Sequence, residues 1–510
     1  AVYPGDKNNL PYDVVVERLH IEEPEPPAPV TEPEKTFEEV LDEHPVSIQV
    51  NGQWQTFPNA RAAEEAAYGE YKDNLRRTAE NFRITDDHLG EGGPKAKFQA
   101  NIAAIKLLKY LEETTEQATP EQQKILSRYV GWGGLADAFD PEKPAWAAEY
   151  TQLKELLTPE EYTAARGSTL NAHYTSPTVI RAIYETVGRM GFETGNILEP
   201  SMGVGNFFGM LPEEMRNSRL YGVELDPISG RIAKQLYPKA DITVGGFETT
   251  DRRDFFDLAI GNVPFGQYQV NDKAYNKLNF SIHNYFFAKA LDQVRPGGVV
   301  AFVTSRYTMD AKDSTVRRYL AQRAELMGAI RLPNDAFKKN AGAEVVSDII
   351  FLQKRDRPLD IVPEWTQTGQ TEDGFAINRY FIDHPEMMLG RQEPVSTAHG
   401  MDYTVNPIEG LELSDQLHDA VKYIHGTYQE AELPELGEGE AIDTSIPADP
   451  NVKNYSYAIV DGQVYYRENS RMVRPDLNAT AEARVKGLVG LRDCVQELID
   501  LQMDAAVPDS

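Results

Sequence analysis

The sequence predicts an α/β fold on a doubly wound, mainly parallel, Rossmann-like sheet, with a mainly helical N-terminal domain before it and an acidic C-terminal extension after it. Three observations predict it. Between residues 171 and 355, short apolar runs alternate with amphipathic stretches of helical period. The first of those runs, Asn196–Glu199, leads straight into a turn containing Gly203 and Gly205. The net charge of −29 is also uneven: residues 1–170 sum to −14, residues 171–355 to +3 and residues 356–510 to −18, so the middle third is a distinct body.

Taken in chain order, Tyr12 to Leu19 has strand or docking character, and Glu22 to Lys35 is Pro- and Glu-rich and reads as an extended linker. Residues 1–35 therefore form an N-terminal segment. Val46 to Phe57 alternates around Asn51-Gly52, a hairpin signal. From Ala60 to about Glu113 the period is helical, with Ile102, Ile105, Leu108 and Leu111 on one face and a Gly/Pro loop at His88 to Pro94. A further helix is expected from Pro120 to Val130, stopped by Gly131-Trp132-Gly133-Gly134, so residues 36–164 read as a helical domain with a hairpin. The central domain, 165–357, holds strand candidates at Asn196–Glu199, Leu220–Glu224, Ile242–Val244, Phe256–Gly261, Val299–Thr304, Leu326–Arg331 and Val346–Gln353, with helices such as Thr178–Met190 and Tyr285–Val294 between them. Residues 358–510 form the acidic extension. It has a linker from Leu433 to Pro450, a hairpin around Asp461-Gly462 and a final helix from about Thr480 to Asp504.

Composition narrows the class. Hydrophobic residues make up 41% and charged residues 26% of 510, as in a soluble multi-domain chain, and no apolar run is long enough for a membrane helix. Asp6, Asp13 and Glu17 interrupt any signal-peptide pattern, and a single cysteine, Cys494, leaves no internal disulfide or cysteine-rich metal site; a cytoplasmic setting with no metal is expected. No GxxxxGK[ST] loop is present, which argues against a P-loop ATPase in this chain. His88, His173 and His283 are scattered without ligand spacing. Trp132 reads as a core aromatic beside a tight turn, with a stacking platform as the alternative. Arg306, Arg317, Arg318, Arg331, Lys338 and Lys339 are candidates for a phosphate-facing surface, although for Arg317-Arg318 a solvated helix face is the default.

The chemistry concentrates in two places. Glu199-Pro200-Ser201-Met202-Gly203-Val204-Gly205-Asn206-Phe207 follows the first strand, and its glycines permit a tight turn and close backbone approach to a ligand. Glu224 ends the next strand, 21 positions after Gly203, where a carboxylate can take both hydroxyls of a ribose. Together they indicate a nucleoside-bearing cofactor. The absence of a full G-x-G-x-x-G argues against a dinucleotide. Asn262-Val263-Pro264-Phe265 ends another strand. An exocyclic amine is a poor nucleophile because its lone pair is delocalised into the ring. Two acceptors, the Asn262 side-chain oxygen and the Val263 carbonyl, favour the pyramidal amine needed to attack a methyl sulfonium. Pro264 stiffens the loop, and Phe265 can stack on a base brought out of the duplex.

With those motifs in order, residues 171–355 resemble the N6-adenine DNA methyltransferases whose cofactor motifs precede an N-P-P-[YF] motif. The resemblance implies a class I methyltransferase fold, S-adenosylmethionine as cofactor and double-stranded DNA as substrate. Catalysis would fall to Asn262, Val263, Pro264 and Phe265. His173, Tyr174, Thr175, Glu199, Pro200, Ser201, Gly203, Gly205, Phe207, Glu224, Leu225 and Phe247 would bind the cofactor. His173 to Pro177 is similar to the segment that closes over the methionine end, and Asp226-Pro227 follows the ribose acid as is common in the family. Arg295 to Val303 and Leu332 to Phe337 resemble its later strand and hairpin elements. Two positions depart from the pattern. Val263 stands in place of the first proline but keeps the carbonyl. Gly246 stands where the family has an aspartate for the cofactor adenine, with Phe247 left to stack and Glu248 as the nearest acid. Asn81 to Thr85, His88 to Lys97 and Tyr129 to Leu135 with Phe139 resemble the leader of large methylase–helicase fusion proteins of phages and conjugative elements, which implies a helicase part in a longer polypeptide. A module that binds DNA or a partner without turnover, and methylation of a protein glutamine, are the alternative functions.

Overall fold

The computed structural model describes residues 19–20, 44–50, 52–86, 90–169, 175–337, 345–397, 400–430, 445–449, 452–453, 455–468, 471–475 and 477–505. They fall into two compact units: one takes in the described residues up to Glu80 with Leu107–Lys124, the other Asn81–Lys106 and the described residues from Ile125 onward.

In the first unit, β1 (Leu19–His20) pairs antiparallel with β2 (Val46–Val50), which pairs with β3 (Gln53–Phe57). Gly52, at φ +74°, supplies the left-handed turn that this hairpin needs; its neighbour Asn51 lies outside the described residues. Ile48, Val46 and Val50 pack on Ala63 and Ala67 of α1 (Ala60–Thr78), capped by Asn59, whose side chain accepts from the Ala62 N–H at 2.8 Å. Helix α2 (Pro94–Thr114) is divided between the units at Leu107, and the helix expected to reach Val130 stops at Leu126. The expected linkers at 22–35 and most of 433–450 lie outside the described residues.

The second unit is organised by seven strands: β4 (Asn196–Glu199), β5 (Arg219–Glu224), β6 (Asp241–Val244), β7 (Phe256–Asn262), β8 (Val294–Ser305), β9 (Ala324–Leu332) and β10 (Ser347–Lys354), in the spatial order β6-β5-β4-β7-β8-β10-β9. The first five are parallel, with Leu198 opposite both Tyr221 and Ala259, and Ile260 opposite Ala301. β10 lies antiparallel between β8 and β9, Ile349 facing Val303 on one side and Ile330 on the other. Helices α3 (Pro159–Ser168), α4 (Pro177–Arg189), α5 (Asn206–Gly209), α6 (Pro227–Leu236), α7 (Ile282–Gln293) and α8 (Thr315–Arg323) connect or cover these strands. This is a class I methyltransferase architecture. The chain runs outward through β4, β5 and β6, then restarts at β7 beside β4. That reversal opens a crevice at the carboxyl ends of β4 and β7, where such sheets bind ligands.

Two sequence expectations are corrected. Arg306, Arg317 and Arg331 do not form a phosphate-facing surface, because all three are buried. Arg317 donates to the Thr366 carbonyl at 2.9 Å, so only Arg318 of that pair is on a solvated face. Arg306 pairs with Asp402, and Arg331 sits between Asp348 and Asp310. Lys338 and Lys339 lie outside the described residues. The extension, too, is more structured than composition suggested. It forms ribbons β11 (Thr368–Gln370) with β12 (Ala376–Asn378) and β13 (Arg391–Thr397) with β14 (Gly400–Asn406), and a helix α9 (Leu413–Val421). After these come β15 (Ile446–Pro447), β16 (Tyr457–Val460), β17 (Gln463–Glu468), β18 (Arg471–Val473) and a final helix α10 (Ala479–Ala505). Trp132 is a core residue, packed edge-on against Phe98, Tyr129 and Phe139.

Candidate functional site

A cavity of about 440 Å³ opens at the carboxyl ends of β4, β5, β6 and β7. One half is built by the turn after β4. Met202 N–H donates to the Val223 carbonyl at 3.0 Å and Gly205 N–H to the Met202 carbonyl at 2.8 Å, closing a loop in which Gly203 and Gly205 take φ of +56° and +85°. A Cβ at Gly205 would meet the Tyr237 ring at 2.5 Å, so only glycine lets α5 start there. Glu224 faces this loop from the end of β5. Its two carboxylate oxygens accept from Gly203 N–H and Asp226 N–H, each at 2.7 Å. Burial pushes this carboxyl up to about 7, against the backbone N–H groups of Asp226, Gly203 and Leu225 that favour its charged form.

Glu199, the last residue of β4, lines the same cavity and is 2% exposed. Its Oε2 has no hydrogen-bond partner among the described residues. Burial, and then the neighbouring Glu224 charge, hold its carboxyl well above the usual range.

The opposite wall comes from β7 and the loop beyond it. Asn262 is the last strand residue. Its carbonyl accepts from Ser201 Oγ at 2.9 Å, and the next N–H, of Val263, continues the ladder to the Val303 carbonyl at 3.1 Å. Asn262, Val263, Pro264 and Phe265 thus line the cavity together with Pro200, Ser201, Gly203, Phe207, Glu224, Leu225 and Phe247. Thr175 is buried at its edge, and His173 and Tyr174 lie outside the described residues. Gly205 shapes the turn without lining the cavity. Phe247 is almost wholly buried, its ring 5.0 Å from that of Phe286.

The structure explains the Gly246 departure. A Cβ built on Gly246 would lie 2.1 Å from Glu248 Oε1, so the Glu248 carboxylate folds back into the space an aspartate side chain at 246 would take. We expect Glu248→Gln to weaken cofactor binding about tenfold, the low end for a hydrogen bond to a charged group; titration calorimetry checks this, and unchanged affinity would exclude Glu248 from the cofactor site.

Other lining residues were not legible as such. Tyr129 and Gly131 contribute from the upstream segment, and buried Asn101 holds that segment in place. Its Nδ2 donates to the Gly131 carbonyl at 2.6 Å and its Oδ1 accepts from Val130 N–H at 2.9 Å. Tyr268 stands 48% exposed, its ring covering Gly266, immediately after the Asn262–Phe265 motif. The one available signal was an aromatic two positions past a glycine in a loop already singled out. Behind the loop, buried Lys289 donates to Asp272 Oδ2 at 2.8 Å and to the Glu248 carbonyl at 3.1 Å, tying the two walls together.

Residues 238–337, which contain β6, β7 and this loop, match the Eco57I restriction-modification methylase family. Over these residues the chain is similar to a methylase domain. The cofactor of such a domain is S-adenosylmethionine. The methylase domain's relatives include the "Defense against restriction protein B" of Escherichia phage P1, 28% identical over 272 residues, which cover 52% of this chain and 10% of the relative. The type II methyltransferase M.CvrRI of Paramecium bursaria Chlorella virus XZ-6E is 42% identical over 83 residues, covering 16% of this chain and 21% of the relative. The chain therefore spans about a tenth and a fifth of these two proteins. Among solved structures, a TehB-like S-adenosylmethionine-dependent methyltransferase from Corynebacterium glutamicum superposes with a TM-score of 0.25 at 16% identity, covering 42% of this chain and 100% of the other. Among the described residues, no helix is long and apolar enough to cross a membrane.

Proposed function

We propose that the methylase domain transfers the methyl group of S-adenosylmethionine to the N6 amine of an adenine extruded from DNA. One observation carries the reading: the Asn262–Phe265 loop and the Gly203/Glu224 turn line a single cavity, on opposite sides of the crevice between β4 and β7. The residues fit the cofactor. Glu224 is placed to take ribose hydroxyls, and Phe247 and Glu248 line the part of the cavity that would hold the adenine. The cofactor supplies the activated methyl group. The chain supplies positioning: Asn262 and the Val263 carbonyl accept the amine hydrogens, and Phe265, Tyr268, Val270, Ile282 and Phe286 give an apolar, aromatic recess for a planar base. DNA as substrate is supported by the restriction-modification character of the matched family and by the type II methyltransferase among the relatives.

The test is incubation with methyl-tritiated S-adenosylmethionine and unmethylated duplex DNA, followed by nucleoside analysis. Label should appear in N6-methyldeoxyadenosine; label confined to cytosine, or to protein, would refute the adenine assignment. Phe265→Ala and Tyr268→Ala should each lower kcat/KM for DNA about 10–100-fold, since base stacking contributes roughly 1–3 kcal/mol, with cofactor affinity unchanged by calorimetry.

A further inference from the structure

Glu199 is the buried group in this cavity that the mechanism above does not use. Its side chain runs along β7, where a Cβ on Gly261 would stand 3.4 Å from Glu199 Cγ, so it lies between the Glu224 side of the cavity and Asn262. The groups that face it offer no compensation. From β5 come Glu224 and the start of α6 at Asp226, both acids; α4 presents Tyr184, the residue after α6 is Tyr237, and Glu248 lies across the cavity. Arg83 bears on Tyr184, and the one charge that bears on Glu199 among the described residues is that of Glu224. A carboxylate buried without donor or cation is costly, and it takes up a proton instead. Of the two acids, Glu224 has backbone N–H donors on both oxygens and Glu199 has an unpartnered Oε2, so the proton resides on Glu199.

We propose that Glu199 is a specificity-determining residue: it holds a proton in the ligand-free protein and releases it to solvent when a ligand bearing a positive charge is seated, so that a cationic nucleoside is preferred to a neutral one. The proposal rests on the cofactor reading above and deepens it. Below the pH at which Glu199 ionises, binding a cation costs that proton, so affinity rises with pH by up to about tenfold per unit and levels off above it. A neutral nucleoside makes no such demand on Glu199, so its pH dependence is only that of the Glu224 carboxyl, which both ligands share. Discrimination therefore grows as pH rises.

The experiment is calorimetric titration of the full chain at several pH values between about 6 and 8, in two buffers of different ionisation enthalpy. The ligands are S-adenosylmethionine and the uncharged 5′-methylthioadenosine. The expected result is more proton release with the first than with the second, because the Glu224 carboxyl is common to both ligands. Glu199→Gln, isosteric and without a partner to lose at Oε2, should abolish that difference. It should also weaken S-adenosylmethionine at least tenfold and leave methylthioadenosine unchanged, whereas Glu224→Gln should weaken both. Equal proton release with the two ligands, or a difference that persists in Glu199→Gln, overturns this proposal alone. Absence of any binding by either nucleoside overturns the methyltransferase reading and the proposal with it.

Discussion

Asn262→Ala is expected to lower methyl transfer about 10²–10³-fold, the cost of removing one preorganised polar group at a reacting centre, while cofactor affinity stays within about twofold. The asymmetry follows from how the residue is held. Its backbone is fixed by the Ser201 hydroxyl on its carbonyl and by the β7–β8 ladder through the next N–H. Truncating the side chain therefore leaves these two backbone contacts in place and removes the acceptor for the amine. The Glu224 side of the cavity, where the ribose would sit, is built from other elements. Single-turnover transfer and calorimetry separate the two effects. A parallel loss of affinity and rate would mean that Asn262 shapes the cavity instead of acting on the substrate.

Arg331→Met should cost about 3–5 kcal/mol of stability, the range for removing one partner of a buried ion pair. Arg331 is fully buried. Its Nε and Nη2 donate to the two Asp348 oxygens at 2.7 and 2.8 Å, and Nη1 donates to Asp310 at 2.8 Å and also reaches Tyr403. The guanidinium lies 4.1 Å over the Phe381 ring. Methionine fills most of the volume but strands the buried Asp348 carboxylate, whose folded-state ionisation then moves up, while Asp310 keeps the Asn378 N–H at 2.9 Å and the Tyr403 hydroxyl. The sign of the pH dependence follows. A carboxyl whose folded value is raised binds its proton more tightly folded than unfolded, so the variant should recover stability as pH falls from 7 toward about 5. Denaturant titration at both pH values checks it, and an equal deficit at both would locate the loss in packing.

The central sheet and the cofactor turn were legible because their signals are local. β4, β5 and β7 are continuous apolar runs punctuated by glycine, proline or an acid, and Glu224 stands at a fixed interval from Gly203. The buried arginines were not legible, because a lone Arg331 looks the same in sequence whether its partners are phosphates or carboxylates. Those partners, Asp310, Asp348 and Tyr403, lie 21, 17 and 72 positions away. Tyr129 and Gly131 were hidden for a related reason. Their place in the cavity wall depends on Asn101, on a helix about 30 residues earlier, gripping the backbone between them. The extension was obscure because its ribbons dock onto strands already formed: Asn334 N–H donates to the Val405 carbonyl at 2.7 Å and Leu389 N–H to that of Arg331 at 2.9 Å.

That docking decides where the polypeptide can be cut. Tyr428 and the Gln429 carbonyl hold Arg295, which grips Asp257 on β7, and Asp257 in turn receives the first N–H of β4. Strand β4 ends on Glu199. A boundary drawn after residue 357, where the parallel-sheet pattern ends in the sequence, would thus free Arg295 and remove Tyr403 and Asp402 from Arg331 and Arg306. Any dissection meant to keep this cavity should cut beyond Gln429.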